Sequence, residues 1–262
     1  MEEAYKFGCG RYIQEADALL RVGEEAKRFG KKALILAGPT AWKVSEEKIV
    51  RGMKDAGVNH VLHIYGGYPS KRQIDENAAQ FKAEGCDLII GVGGGRMMDL
   101  AKASADACAC PVINVPTIAA TCAAYAPLSV IYTDEGRDPE YWWFEKEVDA
   151  IVVDETIMAH QPARYLAAGS LDAIAKFVEV HHNRGAFTPT SVPVDVYAAY
   201  HSAATTYELL NLFTEQACAD VAEGKLTEAV HTVVFCNIAL TGIISSMTRG
   251  RGQAALGHSF YN

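Results

Sequence analysis

The sequence predicts an α/β fold with a Rossmann-like parallel sheet, followed by an all-α region. Short apolar runs alternate with helical patterns from about residue 31 to residue 153, and such alternation is typical of a parallel sheet covered on both faces. A glycine run, residues 91–95, directly follows one of the apolar segments. Beyond Asp154 the strand patterns nearly vanish and alanine-rich helical segments take over. We therefore predict an α/β domain over 1–160 and a helical domain over 161–262.

Each predicted element rests on its own run of residues. Strands are expected where short apolar runs are bounded by turn residues, at 32–37, 60–65, 87–92, 111–115, 128–133 and 149–153. Helices are expected between and after them, at 43–56, 71–84, 96–108, 162–182, 193–214 and 225–248. The polar and aromatic stretch between the last two strands predicts a loop or a hairpin.

The composition argues against several classes of protein. Lys and Arg total 24 against 32 Asp and Glu, a formal net charge of -8, so this acidic chain without basic blocks is predicted to bind no nucleic acid and no anionic membrane. The sequence suggests no apolar stretch of bilayer-spanning length and no apolar signal core at the charged N-terminus. The seven cysteines are scattered without CxxC spacing, which favours reduced thiols in a cytoplasmic protein.

The glycine run predicts an anion site. Gly91, Gly93, Gly94 and Gly95 fill four of five positions at a strand-to-helix turn, where bare backbone can approach a ligand closely. The helix that follows offers unpaired N–H groups and a positive dipole end, which suit a pyrophosphate. Arg96 breaks the GxGxxG fingerprint, so the common dinucleotide signature is absent. The alternative is a tight turn with extra glycines.

Four sequence blocks occur in the order and spacing of one enzyme family. They are the GGGxxxDxAK pattern from Gly93 to Lys102, the run 115–132, the segment 167–174 around Asp172, and Leu256-Gly257-His258. From about residue 7 to its end the chain resembles the glycerol dehydrogenase branch of the iron-containing alcohol dehydrogenase superfamily.

This resemblance implies a nucleotide-binding α/β domain and a helical domain that holds metal and substrate, with NAD or NADP and a divalent metal, zinc or iron, meeting in the cleft between them. It implies hydride transfer from a metal-bound alcohol or polyol to the cofactor, in a homo-oligomer. Carried over to this chain, the implied cofactor residues are Gly93, Gly94, Gly95, Asp99, Thr117, Leu128 and Tyr132. Cys122 would face the substrate, and the implied metal ligands are Asp172 and His258.

The chain departs from the family pattern at three points. Cys122 stands where the branch has an Asp in the substrate pocket, and a thiol accepts a hydrogen bond from a polyol hydroxyl poorly. Gly38 stands where an acid often binds the adenosine ribose, and without that negative charge the choice between NAD and NADP is open. The family's other His ligand lies downstream of His258, whereas the sequence ends at Asn262, so we expect a chain truncated before its last ligand.

Each of the two predicted metal ligands could instead have a purely structural role. Asp172 has mostly apolar helical neighbours, where a carboxylate needs a partner, and either a metal ion or Lys176 in the next turn would serve. His258 is a lone histidine among small residues, and such a residue is more often structural. One Asp and one His do not complete a catalytic zinc site, which usually has three protein ligands.

Two other functions stay open at this point. An enzyme of the same scaffold, resembling glycerol-1-phosphate dehydrogenase or dehydroquinate synthase, would need a cationic cluster for its substrate phosphate. Residues 162–248 offer only scattered cations, Arg164, Lys176, Arg184 and Lys225. A truncated nucleotide-binding module without turnover would bind NAD(H) and retain metal weakly.

Overall fold

A computed structural model describes the backbone of residues 7–184 and 188–248 and, within these ranges, the side chains outside 179–184. The chain divides into two compact units. The sheet unit comprises Cys9–Ile118 and Ala123–Met158. The helical unit comprises, among the described residues, the two before Cys9, the short segment Ala119–Cys122 and the chain from Ala159 onward. The assignment of nucleotide binding to 1–160 and of metal and substrate binding to 161–262 stays a prediction.

The described strands are β1 (Tyr12–Glu15), β2 (Lys32–Ala37), β3 (Asn59–Ile64), β4 (Leu88–Gly93), β5 (Val112–Pro116), β6 (Leu128–Ile131), β7 (Glu140–Trp143) and β8 (Ala150–Asp154). Six of them form one parallel sheet in the order β1-β8-β5-β4-β2-β3. Every residue of β4, β5 and β8 is buried, because both faces of these strands are covered. The continuous apolar runs follow from this burial, and the predicted parallel sheet is confirmed.

The described α-helices of the sheet unit are α1 (Val22–Lys27), α2 (Pro39–Ala56), α3 (Lys71–Glu84), α4 (Gly95–Cys108) and α5 (Glu155–Met158). Those of the helical unit are α6 (Ala163–Arg184), α7 (Val194–Ala222), α8 (Glu228–Phe235) and α9 (Thr241–Thr248). A 3₁₀ helix, Ala18–Arg21, precedes α1, and a π-helical turn, Cys236–Leu240, joins α8 to α9.

The main hydrophobic core lies on one face of the parallel sheet. Fully buried side chains from β2, β4 and β5, which are Ile35, Ile90 and Ile113, belong to the same cluster as Ile49 and Met53 of α2. Helix α2 has Pro39 in its first turn, where a missing N–H costs nothing, and Gly57, with a left-handed φ of 71°, caps its C-terminus. This packing fixes the carboxyl end of β2 next to the start of α2.

The segment after β5 differs from its prediction. The sequence predicts a strand at 128–133, but β6 ends at Ile131 and pairs antiparallel with β7 in a separate two-stranded sheet. The hairpin interpretation of the segment that follows is confirmed. The register places Leu128 opposite Trp143 and Val130 opposite Tyr141.

The run Glu228–Thr248 corrects the expectation that no apolar stretch is long enough to cross a bilayer. Its 21 residues pass that test by length and composition alone. However, 67% of its apolar window is buried inside the protein, and α8 and α9, which it includes, pack against α7. This burial is typical of a core helix, here of the helical unit.

Candidate functional site

The glycine run lies where the strand order of the parallel sheet reverses direction. Strand β2 pairs with β3 on one side and with β4 on the other, so the carboxyl ends of β2 and β4 adjoin. At this point the amide of Gly38 donates a hydrogen bond to the carbonyl oxygen of Val92 over 3.0 Å. Ligands of open parallel sheets bind beyond the carboxyl ends of the strands at such a reversal.

Close packing accounts for two of the glycines but not for a third. A Cβ at Gly91 would lie 2.5 Å from the Cβ of Ala101, and a Cβ at Gly93 would lie 2.8 Å from the Cβ of Met97. Helix α4 can therefore approach β4 only because these side chains are absent. A Cβ at Gly94 would meet only the outer end of the Ile118 side chain, at 3.0 Å. The alternative of a tight turn with extra glycines therefore does not explain why a glycine stands at position 94.

The first turn of α4 presents backbone donors. Gly94 caps the helix with an extended backbone and no side-chain hydrogen bond, and its carbonyl oxygen accepts from the amides of Met97 and Met98. The amides of Gly95 and Arg96 precede them, and the first residues of an α-helix have no intrahelical acceptor for their N–H groups. An anion at this turn would meet those groups and the positive end of the helix dipole.

Asp99 lies one turn into α4 as a buried carboxylate. Its Oδ1 atom is 3.2 Å from Nζ of Lys102, which is also buried. Burial raises the pKa of Asp99, and the charge of Lys102 opposes that rise. Lys102 also donates to the carbonyl oxygen of Ala126 over 2.9 Å and to that of Leu128. These contacts place Asp99 in an internal ion pair, and its predicted role toward the cofactor stays a prediction.

The three residues predicted to line the nicotinamide lie on segments tied to this part of the sheet unit. Thr117 follows β5, is buried, and donates its amide hydrogen to the carbonyl oxygen of Gly93 over 3.0 Å. Leu128 begins β6 and is held to α4 through Lys102. Tyr132 follows β6, and its amide donates to the carbonyl oxygen of Pro69 over 2.8 Å. Thr117 is therefore in direct contact with the glycine run.

An aromatic cluster beside α4 is missed by the sequence analysis. The ring centroids of Tyr68 and Tyr132 are 5.5 Å apart, and the Arg96 guanidinium lies 4.8 Å from the Tyr68 ring centroid. Burial, and next the negative charge of Asp99, raises the pKa of Tyr132. Arg96 is thus held on an aromatic face at the first turn of α4. The available signal was Tyr68 itself, which directly follows Gly66 and Gly67 in the loop after β3.

In the helical unit, Asp172 lies partly exposed on α6. Its side chain keeps 30% of its accessible surface, and its neighbours Leu171 and Val178 keep 66% and 50%. The apolar neighbours along the helix therefore do not enclose this carboxylate, since Leu171 and Val178 are themselves exposed. Its Oδ2 atom is 3.9 Å from Nζ of Lys176, a separation too long for a hydrogen bond. The pairing with Lys176 exists but is loose.

The predicted metal ligands are only partly described. Within residues 7–178 and 188–248 the structure has no group of three His, Cys, Asp or Glu side chains that could hold a metal ion. His258 lies outside the described residues. Asp172 offers a carboxylate with access to solvent, and a carboxylate with an imidazole is a donor set that suits zinc and iron. The described residue therefore fits a metal without completing a site.

Cys122, the predicted substrate residue, lies on the segment Ala119–Cys122 of the helical unit. Its thiol is buried, with Sγ 3.8 Å from Oγ of Ser245 on α9. At the other end of the segment the amide of Ala119 donates to Oε1 of Gln161 over 2.8 Å. The segment is thus fixed at both ends by buried polar contacts.

Comparisons with known proteins bear on both units. Residues 9–155 match the family model described as iron-containing alcohol dehydrogenase. The chain belongs to the iron-containing alcohol dehydrogenase family. It is 34% identical to glycerol dehydrogenase from Thermotoga maritima over 255 residues, 97% of this chain and 68% of that protein. It is also 34% identical to glycerol dehydrogenase from Escherichia coli over 235 residues, 89% of this chain and 64% of that protein.

A solved structure supports the same assignment for the fold. The crystal structure of glycerol dehydrogenase from Schizosaccharomyces pombe matches with a TM-score of 0.84 at 27% identity, over 100% of this chain and 66% of that one. The predicted α/β region followed by helices is therefore the fold of an iron-containing alcohol dehydrogenase. The chain spans about two thirds of the length of these relatives.

Proposed function

We propose that this member of the iron-containing alcohol dehydrogenase family is an oxidoreductase that transfers a hydride from an alcohol or polyol to NAD or NADP, assisted by a divalent metal. The observation that carries the proposal is the glycine run at the strand reversal of the parallel sheet, next to Thr117. The similarity to glycerol dehydrogenases supports an alcohol or polyol substrate.

A phosphate-bearing substrate has less support. Lys176 lies beside Asp172 and Lys225 pairs with Glu223, so these two cations of the helical unit already face carboxylates. A phosphate site needs several cations that converge on one point. We therefore favour an alcohol or polyol over the substrates of the two phosphate-dependent alternatives.

The cofactor is proposed to bind by backbone contacts. The amides of Gly94, Gly95 and Arg96 would receive the pyrophosphate at the start of α4. Thr117 and Tyr132, with Leu128, would bound the nicotinamide. At the adenosine end of the cofactor, Gly38 places no carboxylate beside the ribose to repel the extra phosphate of NADP. The site would therefore accept NADP as well as NAD.

The metal is proposed to be held by Asp172 and His258, and it would supply the Lewis acidity that lowers the pKa of the substrate hydroxyl. Cys122 would stand on the substrate side. Because a thiol is a poor acceptor of a hydrogen bond from a polyol hydroxyl, we propose that glycerol is not the preferred alcohol. All seven cysteines are free thiols, which supports a cytoplasmic location. Self-association is proposed on family resemblance alone.

The nucleotide part of the proposal is tested by Gly95→Asp with Gly95→Asn as the matched control. An Asp in the first helical turn favours the helix, so the fold should be retained, while its charge repels a pyrophosphate. We expect isothermal titration to show NAD(H) binding weakened about 100-fold in Gly95→Asp and only a few-fold in Gly95→Asn, an estimate from charge-assisted contacts at a helix start. Absence of NAD(H) and NADP(H) binding by the unchanged chain would defeat the proposal.

The catalytic part is tested on the same chain by metal analysis and alcohol oxidation. Asp172→Asn should lose the metal and the activity together, whereas Lys176→Met, which removes the neighbouring cation, should keep both. If the chain binds nucleotide but neither retains metal nor oxidises an alcohol, the result would instead support the alternative of a nucleotide-binding module without turnover.

A further inference from the structure

A buried asparagine lies where the helical geometry of the helical unit is interrupted. Helix α8 passes into α9 through the π-helical turn Cys236–Leu240, and Asn237 is its second residue, 1% exposed. Such turns occur frequently at functional sites, since they redirect a side chain out of the regular helical pattern. Here the redirected side chain is an amide whose hydrogen-bond partners lie on other segments.

Asn237 joins α6 to the segment Ala119–Cys122. Its Nδ2 atom donates to the carbonyl oxygens of Ala119 and Leu166, each over 3.0 Å. Its Oδ1 atom lies 3.4 Å from Oγ of Ser170, whose hydroxyl hydrogen is shared with the nearer carbonyl oxygen of Leu166 at 3.2 Å. Both N–H groups of the amide are thereby engaged, so one side chain connects segments 118 and 71 residues away along the chain.

The contact also depends on a position without a side chain. A Cβ at Gly169 would lie 2.0 Å from the carbonyl oxygen of Ala119 and 2.6 Å from Nδ2 of Asn237. Helix α6 therefore approaches Ala119 through bare backbone. The backbone amide of the same residue, Ala119, donates a hydrogen bond to Oε1 of Gln161 over 2.8 Å. We call Asn237, Gln161 and Gly169 the clamp.

The clamped segment ends at Cys122, and the clamped helix carries Asp172 three residues after Gly169. We propose that Asn237 is a positioning residue, which fixes Cys122 in relation to Asp172 without touching substrate or cofactor itself. The consequence for catalysis rests on the proposed function, whereas the clamp rests on the observed contacts. Replacing the amide should release Cys122 from its buried place beside Ser245.

The test measures the reactivity of the Cys122 thiol in the full chain without ligands. Asn237→Asp keeps the shape of the side chain and an acceptor but removes both N–H donors. We expect iodoacetamide to alkylate Cys122 faster by about tenfold or more, because loss of buried hydrogen bonds favours local opening of the segment. Peptide mass spectrometry separates Cys122 from Cys86 and Cys110, which lie in the sheet unit and should keep their rates.

A second variant leaves Asn237 in place. Gly169→Ala puts a Cβ against the Ala119 carbonyl oxygen and should give the same selective rise at Cys122. Thr241→Val is the matched control, since it removes the 2.7 Å hydrogen bond from Oγ1 to the Cys236 carbonyl oxygen in the same π-helical turn and spares the clamp. It should lower the melting temperature without a selective change at Cys122.

Two results would overturn the inference. One is unchanged labelling of Cys122 in folded Asn237→Asp and Gly169→Ala. The other is an equal rise at every cysteine, in Thr241→Val as well, since that indicates general destabilisation. In the active enzyme Asn237→Asp should raise KM for the alcohol more than KM for the nucleotide. Selective labelling in a chain that never oxidises an alcohol supports the clamp and rejects the proposed function.

Discussion

Lys102 is a buried ammonium group that connects three segments of the sheet unit. It pairs with Asp99 on its own helix at 3.2 Å and donates to the carbonyl oxygens of Ala126 and Leu128. Removing an ammonium from water costs several kcal/mol unless protein groups replace the water, and here a carboxylate and two carbonyls do so. Because Leu128 begins β6, Lys102 fixes the start of the hairpin relative to α4, the helix that follows the glycine run.

Replacement of Lys102 by Met should lower the free energy of unfolding by about 3–5 kcal/mol, because Asp99 is left buried without its cation. The double variant Asp99→Asn with Lys102→Met should recover much of this loss, since no charge then stays in the pocket. Urea denaturation at neutral pH measures the coupling between the two substitutions. An equal loss in the single and the double variant would argue against an ion pair.

At the level of the single residue, the sequence could predict chemistry that is local in the chain. The glycine run was predictable, because Gly93 to Gly95 and the helix start that they form are neighbours along the backbone. Asn237 was not, because its partners Ala119 and Leu166 lie 118 and 71 residues away. The partial exposure of Asp172 among apolar helical neighbours was not predictable for the same reason, since tertiary packing decides which face of α6 is covered.

At the level of the element, predictability follows burial. Strands β4 and β5 are covered on both faces and therefore appear as continuous apolar runs. Strand β1 pairs only with β8 at the edge of the sheet, and its residues, Tyr12–Glu15, mix polar and apolar types. Strand β7 is mostly exposed and is stabilised by pairing with β6. Neither β1 nor β7 carries an apolar run, so β1 was missed and β7 was predicted only as part of a loop or hairpin.

The carboxyl end of β8 is held by a buried carboxylate. Asp154 accepts hydrogen bonds from the Leu19 amide over 3.2 Å, from Lys48 over 3.1 Å and from the Thr156 amide over 2.9 Å. Burial alone would raise the pKa of Asp154, but the hydrogen bonds from Thr156, Lys48 and Leu19 outweigh it. The pKa therefore lies below its ordinary value of 3.8. This residue ties α2 and the 3₁₀ helix to the sheet.

A lowered pKa in the folded state means that the unfolded chain binds the proton more tightly. Asp154 thus contributes stability that is present above about pH 4 and is lost as the pH falls through the folded value. Asp154→Asn should be less stable at neutral pH by about 1–3 kcal/mol and should lose less stability on acidification. Urea midpoints measured from neutral pH down through this range compare the two proteins. Parallel pH profiles would contradict the argument.

For the whole molecule, two compact units carry different proposed ligands. The glycine run, Thr117 and Tyr132 belong to the sheet unit, and Asp172 belongs to the helical unit. A ligand that binds only the folded state stabilises it by about 2.7 kcal/mol at a hundredfold excess over Kd. Because amides exchange through local opening as well as global unfolding, that stabilisation is greatest in the segments that contact the ligand. Each ligand should therefore slow hydrogen exchange in a different set of segments.

We expect NAD(H) to slow hydrogen exchange first at residues 91–102, where its phosphates would engage the amides that begin α4. A divalent metal should instead slow exchange in α6 around Asp172. Peptides from the exposed surface of α7 near Leu212, which is 70% exposed, serve as the internal reference. The measurement is hydrogen exchange with mass spectrometry, with each ligand added alone. Protection by NAD(H) confined to the helical unit would contradict the assignment of the nucleotide, because the first-turn amides of α4 would then have gained no acceptor.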